Sequence, residues 1–176
     1  PSPLKVVCEK VFMKPYILTG AGVSLASGIP TFRGPDPDAV WSNRAVETGT
    51  RKYFLANPVE SWLDYLKRFI SYSNCEPNKA HVLLSKLEEK STSFTLVTQN
   101  VDRLHQRAGS QRVIDLHGRL DRVICLSCGE RTDRARTQER LIDYNHSLPS
   151  PGALAPDGDA DVPDDIINQI NVPPCE

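Results

Sequence analysis

Three short apolar runs, each stopped by a polar or glycine-containing step, constrain this chain most. Tyr16-Ile17-Leu18 runs into Thr19-Gly20-Ala21-Gly22, Phe94-Thr95-Leu96-Val97-Thr98 ends at Gln99-Asn100, and Val113-Ile114-Asp115-Leu116 ends at His117-Gly118. Runs this short, rich in β-branched residues and bounded by turn residues, read as buried strands. Helical signals separate them. Asn57-Pro58-Val59-Glu60 has a cap residue followed by proline at the first helical position. Val59, Trp62, Leu63, Leu66, Phe69 and Ile70 then recur at helical spacing, a stripe that reads as core. A second helix is predicted over residues 79–90, with Ala80, Leu83, Leu84 and Leu87 inward and His81 in a packing or surface role. A third is predicted to begin at Val23 and to close at Ser27-Gly28 and Pro30. Strands alternating with helices predict an α/β fold with a doubly wound parallel sheet. Ligands of such sheets bind beyond the carboxyl ends of the strands, so the three polar endings are predicted to gather at one pocket.

At 176 residues the chain is long enough for one domain with its own hydrophobic core. Its formal net charge of −1 points to neither nucleic acid nor an anionic membrane as a partner. The five cysteines are an odd number, which argues against a fully paired disulfide framework. Cys125 and Cys128 form a C-x-x-C followed by Gly129, an arrangement that lets two thiolates converge on a zinc ion. A redox C-x-x-C is the competing reading, but it normally opens a helix just after a strand. Here Gly129 and the charged run from Glu130 to Arg134 follow, which favours zinc. From Ser147 onward, prolines and acidic residues predict a solvated irregular segment. The run Asp157-Gly158-Asp159-Ala160-Asp161 lacks the glycine and final acid of a calcium-binding loop.

The Gly20-Ala21-Gly22 turn, taken alone, is as consistent with a tight strand-to-helix connection as with a nucleotide site. No side chain there blocks close backbone approach, and a following helix start attracts phosphate. The whole run from Gly20 to Gly34, GAGVSLASGIPTFRG, resembles the first signature of the sirtuin family. Thr98-Gln99-Asn100-Val101-Asp102-Arg103-Leu104-His105 resembles its second, Leu116-His117-Gly118 its third, and Cys125 with Cys128 its first zinc pair. Residues 121–130, Gln138-Glu139-Arg140 and Leu154-Ala155-Pro156-Asp157-Gly158-Asp159 resemble the class II branch, which holds mitochondrial and bacterial members. Thr31-Phe32-Arg33-Gly34 departs from the Asp-Tyr-Arg-Ser form of that branch's animal members.

The resemblance implies an NAD-dependent protein-lysine deacylase that passes an acyl group to ADP-ribose and releases nicotinamide. Its partners would be NAD and acyl-lysine proteins. Gly20, Ala21, Gly22 and Ser24 would lie at the NAD phosphates and ribose, with Pro30, Thr31, Phe32 and Arg33 on a loop covering the cofactor. Gln99, Asn100 and Val101 would line the nicotinamide side, Asp102 would hold the carboxamide, and His117 would be the general base. Histidine suits proton removal because an imidazole titrates near neutrality. His105 is assigned a structural role. A structural zinc would take Cys125, Cys128 and Cys175, the last aligned with the first cysteine of a second pair.

Residues 1–120 are expected to form the Rossmann-like NAD-binding portion and 121–176 a partial zinc module, within a catalytic domain that continues past Glu176 in the family. On that basis a fragment with poor activity of its own is expected. The same fold used for ADP-ribosyl transfer or lipoyl removal, and an inactive chain that acts by binding, are the alternatives. The mitochondrial matrix is the compartment implied by the resemblance, or the cytoplasm for a bacterial chain. Some deacylases of acidic acyl groups carry a Tyr and an Arg shortly after the first signature. Trp41 and Arg44 lie there without a Tyr-x-x-Arg, which gives acidic-acyl specificity no support.

Overall fold

A computed structural model describes residues 16–33, 39, 46–91, 93–148 and 164–175. Trp41, Arg44, the 157–161 run and Cys8 lie outside the described residues. The first sheet has three parallel strands in the order β1 (Tyr16–Thr19), β2 (Thr95–Thr98) and β3 (Val113–Asp115). With β2 central, Ile17, Leu96 and Val113 stand abreast, and so do Thr19, Thr98 and Asp115. Parallel strands require crossovers, and the long one between β1 and β2 holds three of the six α-helices among the described residues. These are α1 (Arg51–Ala56), α2 (Pro58–Ser73) and α3 (Lys79–Glu89). The short α4 (Leu104–Arg107) links β2 to β3. An antiparallel hairpin of β4 (Arg122–Ile124) and β5 (Arg131–Asp133) follows, then α5 (Arg134–Tyr144) and α6 (Asp164–Ile167).

The glycine turn is followed by a seven-residue 3-10 helix, Ala21–Ser27, rather than an α-helix starting at Val23. It ends as predicted at Gly28, whose φ of 87° is open to glycine and costly for other residues. So short a 3-10 element has little macrodipole, and any anion here must be held by individual backbone and side-chain groups. Asn57 does precede α2 with Pro58 at its start, but its side chain donates back to the Tyr53 carbonyl instead of capping.

Two core assignments are corrected. In α3 the buried residues are His81, Ser85 and Glu88, while Leu83 is 64% exposed and Leu87 is also exposed. The polar side chains find specific partners, which turns that face inward. Asn78 and His81 close a reciprocal capping box. Glu88 accepts from the backbone N–H of Gln111 at 3.0 Å and of Arg112 at 2.5 Å, and from the Arg112 guanidinium at 3.1 Å. In α2 Leu63 is buried, but Ile70 is exposed and Trp62 is only half-buried. The strands, too, are buried on one side. Leu96 and Thr98 are enclosed, whereas Leu18 and Ile114 on the other face are more than half exposed. The segment after Ser147 is not irregular throughout, since α6 lies within it.

Candidate active site

At the carboxyl ends of the strands, the chain leaves β1 through Gly20, β2 through Gln99 and Asn100, and β3 through Leu116 and His117. Gln99 N–H donates to the Thr19 carbonyl at 3.0 Å, and Leu116 N–H donates to the Thr98 carbonyl at 2.9 Å, so the three endings stay in register. Behind them sits a buried polar network centred on Ser24. Its hydroxyl donates to Asp102 Oδ2 at 2.7 Å and accepts from Asn100 Nδ2 at 3.0 Å. Asn100 Nδ2 also reaches the Gly20 carbonyl at 3.1 Å. The other Asp102 oxygen accepts the Leu104 N–H at 2.9 Å, which fixes the start of α4.

His81 completes the network. Its Nδ1 accepts the Asn78 N–H at 3.2 Å, which leaves the proton on Nε2, 3.5 Å from Ser24 Oγ. The His105 ring packs edge-on against it at 4.7 Å, with Nε2 2.9 Å from the Thr19 hydroxyl. Burial lowers both imidazoles. His105 is pushed down to about 4 by burial and by neighbouring His81, against the raising charges of Asp102 and Asp115.

In front of this network lies a groove of about 760 Å³. Ala21, Gly22, Thr31, Phe32, Arg33, Gln99, Asn100, Val101 and His117, all sequence-predicted, line it together. Gly20, Ser24, Pro30 and Asp102 do not; Ser24 and Asp102 are buried behind it, and Asp102 instead borders a separate cavity of about 330 Å³. His117 is exposed and held by one bond, Nδ1 to the Gln99 carbonyl at 3.0 Å. A carbonyl only accepts, so Nδ1 carries the proton and Nε2 is the free basic nitrogen. A β-carbon at Gly22 would meet no other atom within 4 Å, so open space lies over that backbone. Gly118 has a φ of 77°, and this glycine-favouring geometry turns the chain directly after His117.

The groove is also lined by arginines, of which sequence reasoning predicted only Arg33. Arg33, Arg68, Arg119, Arg122 and Arg134 all line the groove, and no carboxylate among the described residues does. Of the five only Arg119 is ion-paired among the described residues, to Asp121. Arg68 stacks over Phe32 at 5.6 Å, tying α2 to the loop after the first motif. Arg134 is buried over Trp62 at 4.5 Å and Phe69 at 5.8 Å. Burial lowers it to about 10, which leaves it charged at neutral pH. Tyr65 and Arg68, three apart on α2, both line the groove.

Beyond the groove the Sγ atoms of Cys125, Cys128 and Cys175 lie within 4.8 Å of one another, with Cys128 and Cys175 3.5 Å apart. Thiolates on a tetrahedral zinc stand about 3.8 Å apart, so this donor set fits that metal. The N–H groups of Cys128 and Ser127, then the neighbouring thiols, lower Cys125 to about 7, while the contacts of Cys175 with Cys128 and Cys125 raise its own thiol. Gly129, with a φ of 78°, makes the turn that folds the pair together. Among the described residues, no helix is long and apolar enough to cross a membrane.

Residues 20–156 match the Sir2 family profile. The chain is 41% identical over 170 residues to an NAD-dependent protein deacetylase 2 of Bradyrhizobium diazoefficiens, covering 92% of this chain and 59% of that protein. It is 38% identical over 164 residues to the human mitochondrial NAD-dependent protein lipoamidase sirtuin-4, covering 90% and 52%. A crystal structure of a Sir2 homologue–NAD complex superposes with a TM-score of 0.60 at 45% identity, over 67% of this chain and 46% of that one. The chain thus spans about half the length of the curated relatives it matches. With the glycine turn, the strand-end network and the thiol cluster in that family's order, the chain belongs to the Sir2 family.

Proposed function

We propose that this chain carries the NAD-binding and proton-transfer half of an NAD-dependent protein-lysine deacylase. The observation that carries the reading is the His117 tautomer, with Nδ1 held by Gln99 and Nε2 free at a groove that Ala21, Gly22, Gln99 and Asn100 of the family-like motifs also line. NAD, when bound, supplies an activated ribose carbon with nicotinamide as its leaving group. The chain's residues do the rest. Ala21 and Gly22 offer backbone to the phosphates, and Phe32 and Arg33 cover them. Gln99 and Asn100 orient the ribose, Ser24 and Asp102 keep Asn100 in place from behind, and His117 Nε2 accepts a ribose hydroxyl proton. Hydrogen bonds aimed in advance at developing charge need no reorganisation during reaction. Zinc on Cys125, Cys128 and Cys175 would fix the hairpin, and a fourth ligand would be needed to close its tetrahedron as a structural site. In this reading residues 1–120 form the NAD-binding portion and 121–176 the zinc module.

Tyr65 and Arg68, both on the groove lining, favour acyl groups that end in a carboxylate, with Arg68 as the cation that meets it. ADP-ribosyl transfer and lipoyl removal are the competing activities, and the human and bovine sirtuin-4 relatives are mitochondrial. Incubation with NAD labelled in the adenylate and a panel of acyl-lysine peptides tests the reading. Label leaving as acyl-ADP-ribose, one per nicotinamide released, is the expected result. Label retained on protein means transfer, and nicotinamide release without loss of peptide acyl groups would sink the deacylase assignment.

A further inference from the structure

Arg103 is the one non-glycine residue with positive φ among the described residues, at 68°. A side chain with a β-carbon is disfavoured there, and glycine or asparagine is the usual occupant. The conformation has a local reason, since it swings Asp102 inward to Ser24 while α4 begins at Leu104. The arginine itself has another. Its Nη1 reaches Asp115 Oδ2 at 2.8 Å, and its Nε lies 3.2 Å from Asp121 Oδ2. Those carboxylates flank His117, at the last residue of β3 and the residue before β4.

Between them the segment 116–121 runs alongside 98–103. Leu116 N–H meets the Thr98 carbonyl, His117 Nδ1 the Gln99 carbonyl, and Leu120 N–H the Val101 carbonyl at 3.3 Å. The Arg103–Asp121 pair closes this ladder. Gln106 holds the second Asp115 oxygen at 2.9 Å, and Arg119 grips Asp121, so both acceptors are fixed before Arg103 joins them. Among the described residues His117 makes no other hydrogen bond, and its side chain is exposed, so its position depends on how firmly both ends of its loop are held.

We propose that Arg103 is the positioning residue of the His117 loop, clamping it through Asp115 before and Asp121 after. Its catalytic meaning rests on His117 as the proton acceptor, but the clamp can be measured without turnover. The variant R103G keeps the backbone conformation and removes the guanidinium. R103K keeps the charge without the fork that spans two carboxylates, and D121N opens one end while leaving residue 103 intact. Amide hydrogen exchange of residues 116–121 and the 15N shifts of the His117 ring are read in the intact chain, with β2 and α3 as internal controls.

In R103G, exchange across 116–121 is expected to rise about tenfold or more, as for local opening. The His117 ring is expected to pass from one Nδ1–H tautomer to a mixture, with the controls unchanged. R103K and D121N follow in the same direction with smaller changes. An R103G or D121N protein with wild-type loop exchange and a single tautomer overturns the clamp. Nicotinamide release from NAD is measured alongside. A loosened loop with a fall in kcat at constant KM for NAD supports the catalytic role. A loosened loop with wild-type kcat removes that role, and no release by the unaltered chain counts against the proposed function alone.

Discussion

The two walls of the groove are built on opposite principles. The strand-end wall is backed by a closed set of buried hydrogen bonds around the Asp102 carboxylate, with Ser24, Asn100, Asp102 and His81 each satisfying another. The facing wall is a set of cations on separate elements: Arg33 on a loop, Arg68 on α2, Arg119 and Arg122 around the start of β4, and Arg134 at the start of α5. The first wall is rigid before any ligand arrives. The second has charge to place and few internal partners to place it against, which suits recognition of an anion that comes from outside.

The largest expected effect tests the chemistry of the first wall. His117→Ala should cut NAD-dependent turnover by about 10²- to 10⁴-fold, the range for loss of a general base. NAD affinity, measured by calorimetry, should stay close to wild type, because His117 contributes proton transfer rather than the cradle.

The next prediction concerns acid. His105 is held to about 4 in the fold against 6.5 in its ordinary state, so the unfolded chain takes up a proton that the folded chain refuses. Stability present above pH 6.5 is therefore lost as pH falls toward 4, by on the order of 3 kcal/mol. Urea midpoints across that window should show the slope, and His105→Gln should flatten it. A slope of the opposite sign would remove the neutral histidine pair from the account of the first wall.

The second wall has a smaller and more selective prediction. Arg68→Gln should lower kcat/KM for a carboxylate-ended acyl peptide about tenfold or more relative to an acetyl peptide, from loss of a charge-assisted contact. Equal losses on both peptides would assign Arg68 to the cofactor instead. Smallest in reach is the effect of chelation. Removing zinc should raise hydrogen exchange in β4 and β5 and leave β2 protected, since the three thiols hold only the hairpin side.

The contrast also explains what could be read from the sequence. Gly20-Ala21-Gly22, Gln99-Asn100 and His117 are contiguous motifs at strand ends, so local pattern locates them and the parallel sheet follows. Apart from Arg33, the groove arginines follow no local pattern, because they come from α2, the start of β4 and the start of α5 and meet only through tertiary packing. The inward face of α3 was misread for the same reason. Leucine spacing argued for one face, while His81 and Glu88 were drawn the other way by Ser24 and Arg112, far away in the chain. Ser24 and Asp102 were found as residues, but their position behind the groove follows from partners that no local motif contains.

The most direct test of the strand-end groove as the NAD site is a backbone NMR titration of the chain with NAD. Saturable shifts at Ala21, Gly22, Gln99, Asn100 and His117, with the cysteine turn unmoved, are the predicted result. Absence of saturable shifts at those residues, or shifts gathered at Cys125 and Cys128 instead, would contradict it.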